Sequence, residues 1–202
     1  MRFLKNIFML AAFWSVCALA QQQPAAAPQQ PATPVKPSPE LVRLTEALAG
    51  SWIVNSKTEP NGFMPAGTAT GTAEFYTGPG ELALGQQYRT MGPSGEMVAT
   101  IMVWWDEKAK GFKELACDNL SGCRASTGLM RWEGSVLTGS ETTEIAGKPV
   151  EIRTTLRDIA PDSFVYLKEI APAGGQFQRV TTIEYKRRVA RPYYPGRRSG
   201  RR

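Results

Sequence analysis

The sequence predicts an all-β fold with one short helix on its N-terminal side. About ten strand-like runs follow one another between Trp52 and Arg187, and clusters of Gly, Pro and Asn separate them. Every connection is short, and none has the pattern of a second helix. Short connections join antiparallel neighbours, whereas parallel strands need long crossovers. The chain therefore favours an up-and-down antiparallel arrangement of about 8–10 strands.

The predicted helix begins at Ser38, a favoured N-cap residue, and has Pro39 at its first position. Apolar residues then recur at helical spacing, at Leu41, Leu44 and Leu48. We expect Gly50 to end the helix, because glycine enters the left-handed conformation of a helix end at little cost. The helix is short and one-sided, so we expect it to plug or flank one end of a barrel.

Short runs rich in β-branched and aromatic residues form the predicted strands. They are Trp52–Thr58, Thr68–Tyr76, Leu82–Met91, Glu96–Trp105, Phe112–Cys117, Arg124–Trp132, Val136–Thr142, Val150–Ile159, Ser163–Ile170 and Gln176–Arg187. Several alternate strictly: Val150 and Ile152 oppose Glu151 and Arg153, for example. One wet face and one sheltered face is what the wall of a barrel or sandwich needs.

Five short motifs, taken in their order and spacing, give the chain a family likeness. They are Gly50-Ser51-Trp52, Thr70-Gly71-Thr72-Ala73, Val103-Trp104-Trp105-Asp106, Gly147-Lys148-Pro149-Val150 and Thr182-Ile183-Glu184-Tyr185. Together they resemble a family of bacterial exported proteins defined as a domain of unknown function. That family is similar to lipocalin-like (calycin) barrels, which include fatty-acid-binding proteins and nitrobindins. The likeness covers Leu41 to Arg188.

The resemblance implies a closed barrel of eight to ten antiparallel strands. Gly-x-Trp is the lipocalin signature, and there its tryptophan packs under a basic side chain near the end of the last strand. Gly50 and Trp52 would take part in that closure, with Lys186, Arg187 or Arg188 supplying the cation; Arg187 is the candidate we name. The nitrobindin haem site needs a histidine, and this chain has none, so that site does not carry over and no cofactor is expected.

Residues 1–20 are predicted to be a Sec-type signal peptide cleaved after Ala20. Arg2 and Lys5 precede an apolar run that is too short to span a bilayer comfortably, and a small-x-small site follows it. Residues 21–38 are mainly Gln, Pro and Ala, a composition typical of an extended linker that cannot bury a core. The barrel domain is assigned to residues 39–188. We therefore expect a periplasmic or secreted protein with no transmembrane span after cleavage.

The basic charge of the chain is concentrated at its C-terminal side. Eight basic residues and no acidic one lie between Lys186 and Arg202, which leaves 14 basic residues against 18 acidic ones between Gln21 and Tyr185. The net charge of +6 therefore does not indicate a specific nucleic-acid-binding body. Residues 189–202 are predicted to be a disordered tail. Two readings of it stand side by side: attachment to an anionic envelope surface, and solubilisation without a partner.

Two cysteines, Cys117 and Cys123, remain after signal cleavage. An even number in an exported chain suggests a disulfide, which here would staple a hairpin or loop. In the chain-entropy model such a short loop gains about 2 kcal/mol. A redox-active pair is the less favoured alternative, because the Cys-x-x-Cys spacing is absent.

The absence of histidine removes Ser-His-Asp and Cys-His catalysis and every histidine-based metal site. No nucleophile elbow, phosphate loop, dinucleotide turn or paired-cysteine zinc pattern is present in the sequence. We therefore assign no catalytic residue and no metal ligand. Scattered acids and tyrosines do chemistry in some calycin-like barrels, so an enzyme of unassigned reaction stays a third-ranked hypothesis.

If the barrel is hollow, one alternating face of several strands should line it. The residues expected there are Tyr88, Met97, Ile101, Val103, Trp105, Leu129, Ile152, Leu156, Tyr166 and Phe177. Arg89, Arg131 and Arg153 are the cations to check for an inward carboxylate clamp, although a strand arginine more often faces solvent. The candidate ligand-binding set is Tyr88, Arg89, Ile101, Trp105, Arg131 and Tyr166.

Two functional hypotheses lead. In the first, the barrel binds a small, largely apolar ligand. In the second, the barrel is a filled scaffold, and the protein acts in the cell envelope through its linker and basic tail. A cavity of several hundred Å3 would favour the first, on the usual scale of ligand pockets.

Overall fold

The computed structural model describes residues 34–61, 65–145, 147–172 and 174–189. The predicted signal peptide, most of the predicted linker and nearly all of the predicted tail lie outside these residues. Their assignments therefore stay predictions. Within the described part of the chain, no helix combines the length and the apolar character that crossing a bilayer requires.

The described residues form one helix, one short 3-10 turn and a run of strands. In chain order they are α1 (Pro39–Leu48), β1 (Gly50–Thr58), β2 (Gly67–Thr77), the 3-10 turn (Pro79–Glu81), β3 (Leu84–Gly92), β4 (Gly95–Asp106), β5 (Gly111–Asp118), β6 (Gly122–Ala125), β7 (Leu129–Glu133), β8 (Val136–Ile145), β9 (Lys148–Arg157), β10 (Ser163–Pro172) and β11 (Gln178–Arg187).

Antiparallel pairing closes the sheet into a barrel. The strand order is β4-β3-β2-β1-β11-β10-β9-β8-β7-β5, and β4 also pairs with β5. The last strand therefore closes on the first, with Trp52 opposite Arg187 across the β1–β11 pair. β6 and β7 pair with successive parts of β5, so they share one position in the wall. The predicted all-β barrel with one N-terminal helix is confirmed, and the barrel has ten strand positions.

The run predicted as one strand over Arg124–Trp132 is split in two. Between β6 and β7, Ser126 and Thr127 bond to a side chain: Ser126 Oγ and the Thr127 amide donate to Glu141 Oε2 at 2.7 and 3.1 Å, while the Ser126 amide still donates to the Glu114 carbonyl of β5 at 2.9 Å. Gly128 follows, and a Cβ there would lie 2.2 Å from the Ser140 carbonyl oxygen. Local polar bonding of this kind interrupts a strand ladder.

The helix begins as its sequence predicts. Ser38 Oγ accepts a hydrogen bond from the Leu41 amide at 3.1 Å, and Pro39 occupies the first turn. The leucines at the helical spacing are 1–2% exposed and form the face that packs on the barrel. The hydrophobic spacing therefore specifies both the helix and its docking face.

The role predicted for Gly50 needs a correction. The helix ends at Leu48, and its C-cap residue is Ala49, whose amide donates to the Thr45 carbonyl at 2.8 Å. Gly50 opens β1 with a φ of +121°, outside the usual left-handed helix end, and a Cβ there would lie 2.7 Å from Arg187 Nη1. Glycine is needed because the Arg187 guanidinium lies directly against the backbone.

Two apolar clusters fill parts of the barrel. The larger cluster surrounds Trp52 and includes the buried helix leucines, Phe75, Phe164 and Tyr185. The smaller cluster consists of Val150, Ile152, Ile170 and Val180, at the other ends of β9, β10 and β11. Between them the interior is hollow, and that space is the candidate site.

Candidate functional site

A cavity of about 270 Å3 lies inside the barrel. Ten strands enclose a wider interior than eight, because the diameter of a barrel grows with its strand number. Small inward residues leave the space open: Ala99 on β4 and Ala116 on β5 both line it. A second cavity of about 40 Å3 adjoins it and shares Glu114, Arg124 and Lys168 as lining residues.

One end of the large cavity, which we call the helix end, is apolar. It is lined by Leu44 and Leu48 of α1 together with Phe75, Phe164 and Tyr185. The rings of Phe164 and Tyr185 stack with their centroids 4.2 Å apart, and Phe75 contacts both of them edge-on. Aromatic pairs of this geometry add about 0.5–1.5 kcal/mol each beyond their buried area. The helix end is therefore a closely packed apolar wall.

Trp52 and Arg187 fasten this end of the barrel. Trp52 is 0% exposed, and its indole nitrogen donates to the Leu48 carbonyl at 2.8 Å. The Arg187 guanidinium carbon lies 4.2 Å above the Trp52 ring, and Arg187 also donates to the Ala49 and Ala47 carbonyls at 2.8 and 3.3 Å. One arginine thus joins the last strand, the first strand and the end of the helix.

A band of polar side chains crosses the middle of the cavity. Gln86 Nε2 donates to the Tyr185 hydroxyl at 3.4 Å, and both residues are less than a tenth exposed. Burial raises the pKa of Tyr88, an effect that the hydroxyls of Thr90 and Ser56 partly oppose. Burial likewise raises the pKa of Tyr185. Both phenols are therefore neutral at physiological pH and act as hydrogen-bonding groups.

The opposite end, which we call the charged end, gathers five ionisable side chains. They are Glu114 and Asp118 on β5, Arg124 on β6, Glu141 on β8 and Lys168 on β10. Arg124 Nη1 lies 3.8 Å from Glu141 Oε1, with the Arg124 side chain 50% exposed and that of Glu141 16% exposed. The charged end therefore reaches solvent through Arg124, whereas the helix end is sealed.

Two groups at the charged end, Glu114 and Lys168, lack direct partners. No ion pair or hydrogen bond joins either side chain to another described residue. Burial raises the pKa of Glu114, with Arg124 opposing the shift and Glu141 adding to it. Burial lowers the pKa of Lys168, and Arg124 adds to that shift while the neighbouring carboxylates oppose it. Both shifts favour the uncharged form of each group.

Two neighbouring side chains, Asp118 and Tyr166, have a well-defined protonation state. Burial tends to raise the pKa of Asp118, but hydrogen bonds from Ser121 and Leu120 outweigh it and the pKa is lowered. Burial, with a further contribution from Glu114, raises the pKa of Tyr166 to about 12. Asp118 is therefore ionised and already accepts hydrogen bonds. Tyr166 is a neutral phenol beside Glu114 and Lys168.

Of the six candidate ligand-binding residues, the structure brings three to the cavity. Tyr88, Ile101 and Tyr166 line it, as do Met97, Val103 and Leu156 from the wider set; Leu129 and Ile152 line the small cavity. Trp105 does not line it: its ring packs edge-on against Phe112, and its nitrogen donates to Glu107 at 2.8 Å.

The arginines chosen from the sequence lie outside the cavity. Arg89 forms an exposed ion pair with Glu96 at 2.9 Å. Arg131 donates to the Lys110 and Ala109 carbonyls at 2.9 and 3.0 Å and fixes the β4–β5 turn. Arg153 pairs with Glu169 at 2.8 Å and lies 4.1 Å from the ring of Phe177. Each sits at a strand position that alternates outward.

The cations that do reach the interior are Arg124 and Lys168, which the sequence reasoning missed. Lys168 had a detectable signal, because Phe164, Tyr166 and Lys168 alternate on one face of β10. Arg124 had none, since β6 is a four-residue strand beside a turn and its burial pattern is fully exposed.

The predicted bond between Cys117 and Cys123 is present in the structure. The two residues face each other across the β5–β6 pair. The bond therefore staples the hairpin that carries Asp118 and Arg124 into the charged end. No group of three or more Cys, Asp or Glu side chains within the described ranges has an arrangement that could hold a metal ion.

Comparison with solved structures supports the fold. The chain is similar to the crystal structure of Rv2717c from M. tuberculosis, at 15% identity and a TM-score of 0.53, over 76% of this chain and 100% of that one. Weaker likenesses include the S-type phycobiliprotein lyase CPES from Guillardia theta (10% identity, TM-score 0.47, 75% and 94% covered) and the redesigned β-barrel mFAP0 bound to DFHBI (12% identity, TM-score 0.39, 70% and 99% covered). No protein-family model matches the chain, and no curated protein matches it either. The comparisons thus bear on the barrel fold alone.

Proposed function

We propose that this is an exported protein whose barrel binds one small, largely apolar ligand that carries a polar group. The observation that supports this is the asymmetric cavity of about 270 Å3, apolar at the helix end and ionisable at the charged end. Ligand sites are commonly apolar concavities with a few convergent polar groups. The apolar part of the ligand would lie against Phe164, Leu44 and Leu48, and its polar group would face Lys168 and Glu114.

The volume of the cavity and the position of its opening limit which ligands could bind. Its volume lies just below the usual range of about 300–1,000 Å3, which suits a compact molecule. The half-exposed Arg124 marks the side from which the ligand would enter. Burial of the apolar part supplies the affinity at about 25 cal/mol per Å2, and the polar band fixes the orientation.

The alternative, a filled scaffold that works through its linker and tail, requires a solid interior, and the hollow barrel does not favour it. The linker and tail lie mostly outside the described residues, so attachment of the tail to an anionic surface stays a prediction. A catalytic role has the cluster of Glu114, Asp118 and Glu141 in its favour, but no described nucleophile is paired with a base there.

Export is part of the proposal. The signal-like start of the sequence and the cross-strand disulfide, a bond typical of oxidising compartments, both favour it. The intact mass of the protein recovered from its own host tests it. We expect a mature chain that begins at Gln21 in the periplasmic or extracellular fraction; a chain retaining Met1 in the cytoplasm would contradict export.

Native mass spectrometry of the purified protein tests ligand binding directly. We expect a defined small molecule bound at one to one, released on denaturation and identifiable by its mass. If the protein arrives empty, the same spectrum is recorded after incubation with an envelope lipid extract. An empty barrel in both spectra would count against a carrier.

A matched pair of substitutions on β5 locates the site. Ala116 is 9% exposed and lines the cavity, whereas Leu115, its neighbour on the outer face, is 41% exposed. We expect Ala116→Phe to fill the cavity and abolish binding of the fluorescent probe anilinonaphthalene sulfonate, whereas Leu115→Phe leaves it unchanged. Melting temperatures verify that both variants fold. Equal probe binding by the two would place the probe outside the barrel.

A further inference from the structure

We propose that Lys168 holds an apolar aldehyde in the barrel through a reversible imine bond. Lys168 lies on β10 in the inward-facing series that includes Phe164 and Tyr166. It lines both the large apolar cavity and the small polar cavity beside it. Its amine therefore stands where the apolar chamber ends, the place that the head of a bound chain would reach.

Two of the acidic side chains near Lys168 already have other partners, so its amine is not held in an ion pair with either of them. Glu141 is occupied by Ser126, Thr127 and the Arg124 guanidinium. Asp118 accepts hydrogen bonds from Leu120 and Ser121. Lys168 itself has no direct ion pair with any carboxylate in the described part of the chain. A lysine kept only for its charge would be expected to pair with one of these acids, which lie in the same cluster.

The neutral amine, and not the ammonium ion, is the nucleophile toward a carbonyl carbon. Burial lowers the pKa of Lys168 and the nearby Arg124 lowers it further; Glu141, Glu114 and Asp118 oppose the shift without cancelling it. Desolvation next to another cation is the environment in which lysines form Schiff bases. Geometry and electrostatics therefore agree: the amine faces the ligand space, and its surroundings favour the reactive form.

The bond-forming step balances without an oxidant or reductant. The neutral Lys168 nitrogen adds to the aldehyde carbon, so a C–N bond forms as the C=O π bond breaks, and one proton passes from the nitrogen to the oxygen, which gives a carbinolamine. The hydroxyl then takes up a proton from the Glu114 carboxyl group and leaves as water while a C=N bond forms, and the nitrogen gives its remaining proton to the Glu114 carboxylate. Glu114 lines the same two cavities, and burial raises its pKa, so its carboxyl group can supply the proton that water loss consumes.

This inference rests on the proposed ligand cavity and names its ligand class: an apolar aldehyde whose chain occupies the helix end. A carboxylate-bearing ligand is the competing class, and it would use Arg124 and Lys168 as an ion-pairing site. The two classes differ in one observable property, because only the aldehyde forms a covalent bond that can be trapped by reduction.

The test is reductive trapping of the full mature protein. The protein is incubated with decanal and sodium cyanoborohydride, and the modified residue is located by peptide mapping. We expect a single decyl adduct, severalfold more abundant on Lys168 than on any other lysine. Lys168→Arg, which keeps the charge but loses the amine, should abolish that adduct. Lys113→Arg is the matched control, since Lys113 is 42% exposed and pairs with Asp106; its adduct pattern should be unchanged.

Decanol, which has the same chain but no carbonyl group, separates the two proposals. Displacement of anilinonaphthalene sulfonate by decanol with no preferred trapping at Lys168 would overturn the imine and leave the binding cavity standing. Labelling spread evenly over exposed lysines would overturn it too. Failure of both decanal and decanol to displace the probe would overturn the proposed binding of an apolar ligand as well. Mapping of the wild-type protein needs no variant, so a folding defect in Lys168→Arg does not decide the outcome.

Discussion

At the helix end, the inward side chains are aromatic or aliphatic, and the polar atoms that face the cavity have partners: the Trp52 indole bonds to Leu48 and the Tyr185 hydroxyl to Gln86. One uncharged atom in the surrounding cluster, the Trp132 indole nitrogen, is buried without a hydrogen-bond partner among the described residues. At the charged end, five ionisable groups line two adjoining cavities, and Glu114 and Lys168 have no direct partner among the described residues. In the described part of the chain, the helix end buries one unpartnered uncharged donor, whereas the charged end buries two ionisable side chains without direct partners.

The difference separates stability from function within one barrel. A buried polar group without a partner costs free energy, so a sequence selected for stability alone would replace it with an apolar residue. Local violations of this kind mark functional sites more often than they mark errors. We therefore expect substitutions at the helix end to weaken folding, and substitutions of the unpartnered Glu114 and Lys168 to alter binding while sparing or even improving stability.

The largest expected effect is at the helix end. Trp52→Ala removes a side chain that is 0% exposed and the partner of the Leu48 carbonyl. Such truncations cost about 3–5 kcal/mol of unfolding free energy. Urea unfolding measures it. The matched control is Ile53→Ala, the next residue on β1, whose side chain is 47% exposed and faces outward; its cost should be below about 1 kcal/mol. Similar losses in the two variants would contradict the fastening role of Trp52.

Much of the helix end could be predicted from the sequence, because short-range patterns specify it. The cap at Ser38, the leucine spacing and the strand alternation are all written within a few residues of one another. The contact between Trp52 and Arg187 spans almost the whole barrel domain, and it came from the family resemblance and not from spacing.

The charged end was harder to predict, for a physical reason. Its members come from four strands and meet only because the barrel closes, so no local pattern joins Glu114, Arg124 and Lys168. The three arginines that the sequence offers as an inward clamp lie on outward strand positions, where they make surface contacts such as the ion pair of Arg89 with Glu96. The cation that reaches the cavity, Arg124, lies instead on a short strand beside a stapled turn.

A smaller loss of unfolding free energy is expected on removal of the disulfide, which lies beside the charged end. Replacing Cys117 and Cys123 together with serine should cost about 2 kcal/mol of unfolding free energy, because the unfolded chain loses a cross-link that closes a short loop. The same change frees the hairpin that carries Asp118 and Arg124, so affinity for decanol should also fall. The wild-type protein under reducing conditions is the control and should behave like the double variant. Full affinity in the double variant would show that the hairpin is not part of the site.

The smallest effect is the pH dependence of folding stability that Glu114 causes. It also separates the two ends most sharply. Because burial raises the pKa of Glu114 above its ordinary value of 4.5, the folded protein binds this proton more tightly than the unfolded chain does. The stabilisation is therefore complete below about pH 4.5 and is lost as the pH rises through the folded-state pKa. Glu114→Gln keeps the shape and removes the titration, so the variant should melt above the wild type at pH 7, and the gap should close towards pH 4.5.

Melting temperatures of both proteins across that range test this prediction, with Glu74→Gln as the exposed control. A variant that melts below the wild type at pH 7 would mean that the ionised carboxylate is stabilised by Arg124 and Lys168 more than burial opposes it. The charged end would then be an internally satisfied ion cluster like the ion pairs on the outer surface. Its contrast with the helix end, and with it the argument for a polar ligand group at Lys168, would lose its physical basis.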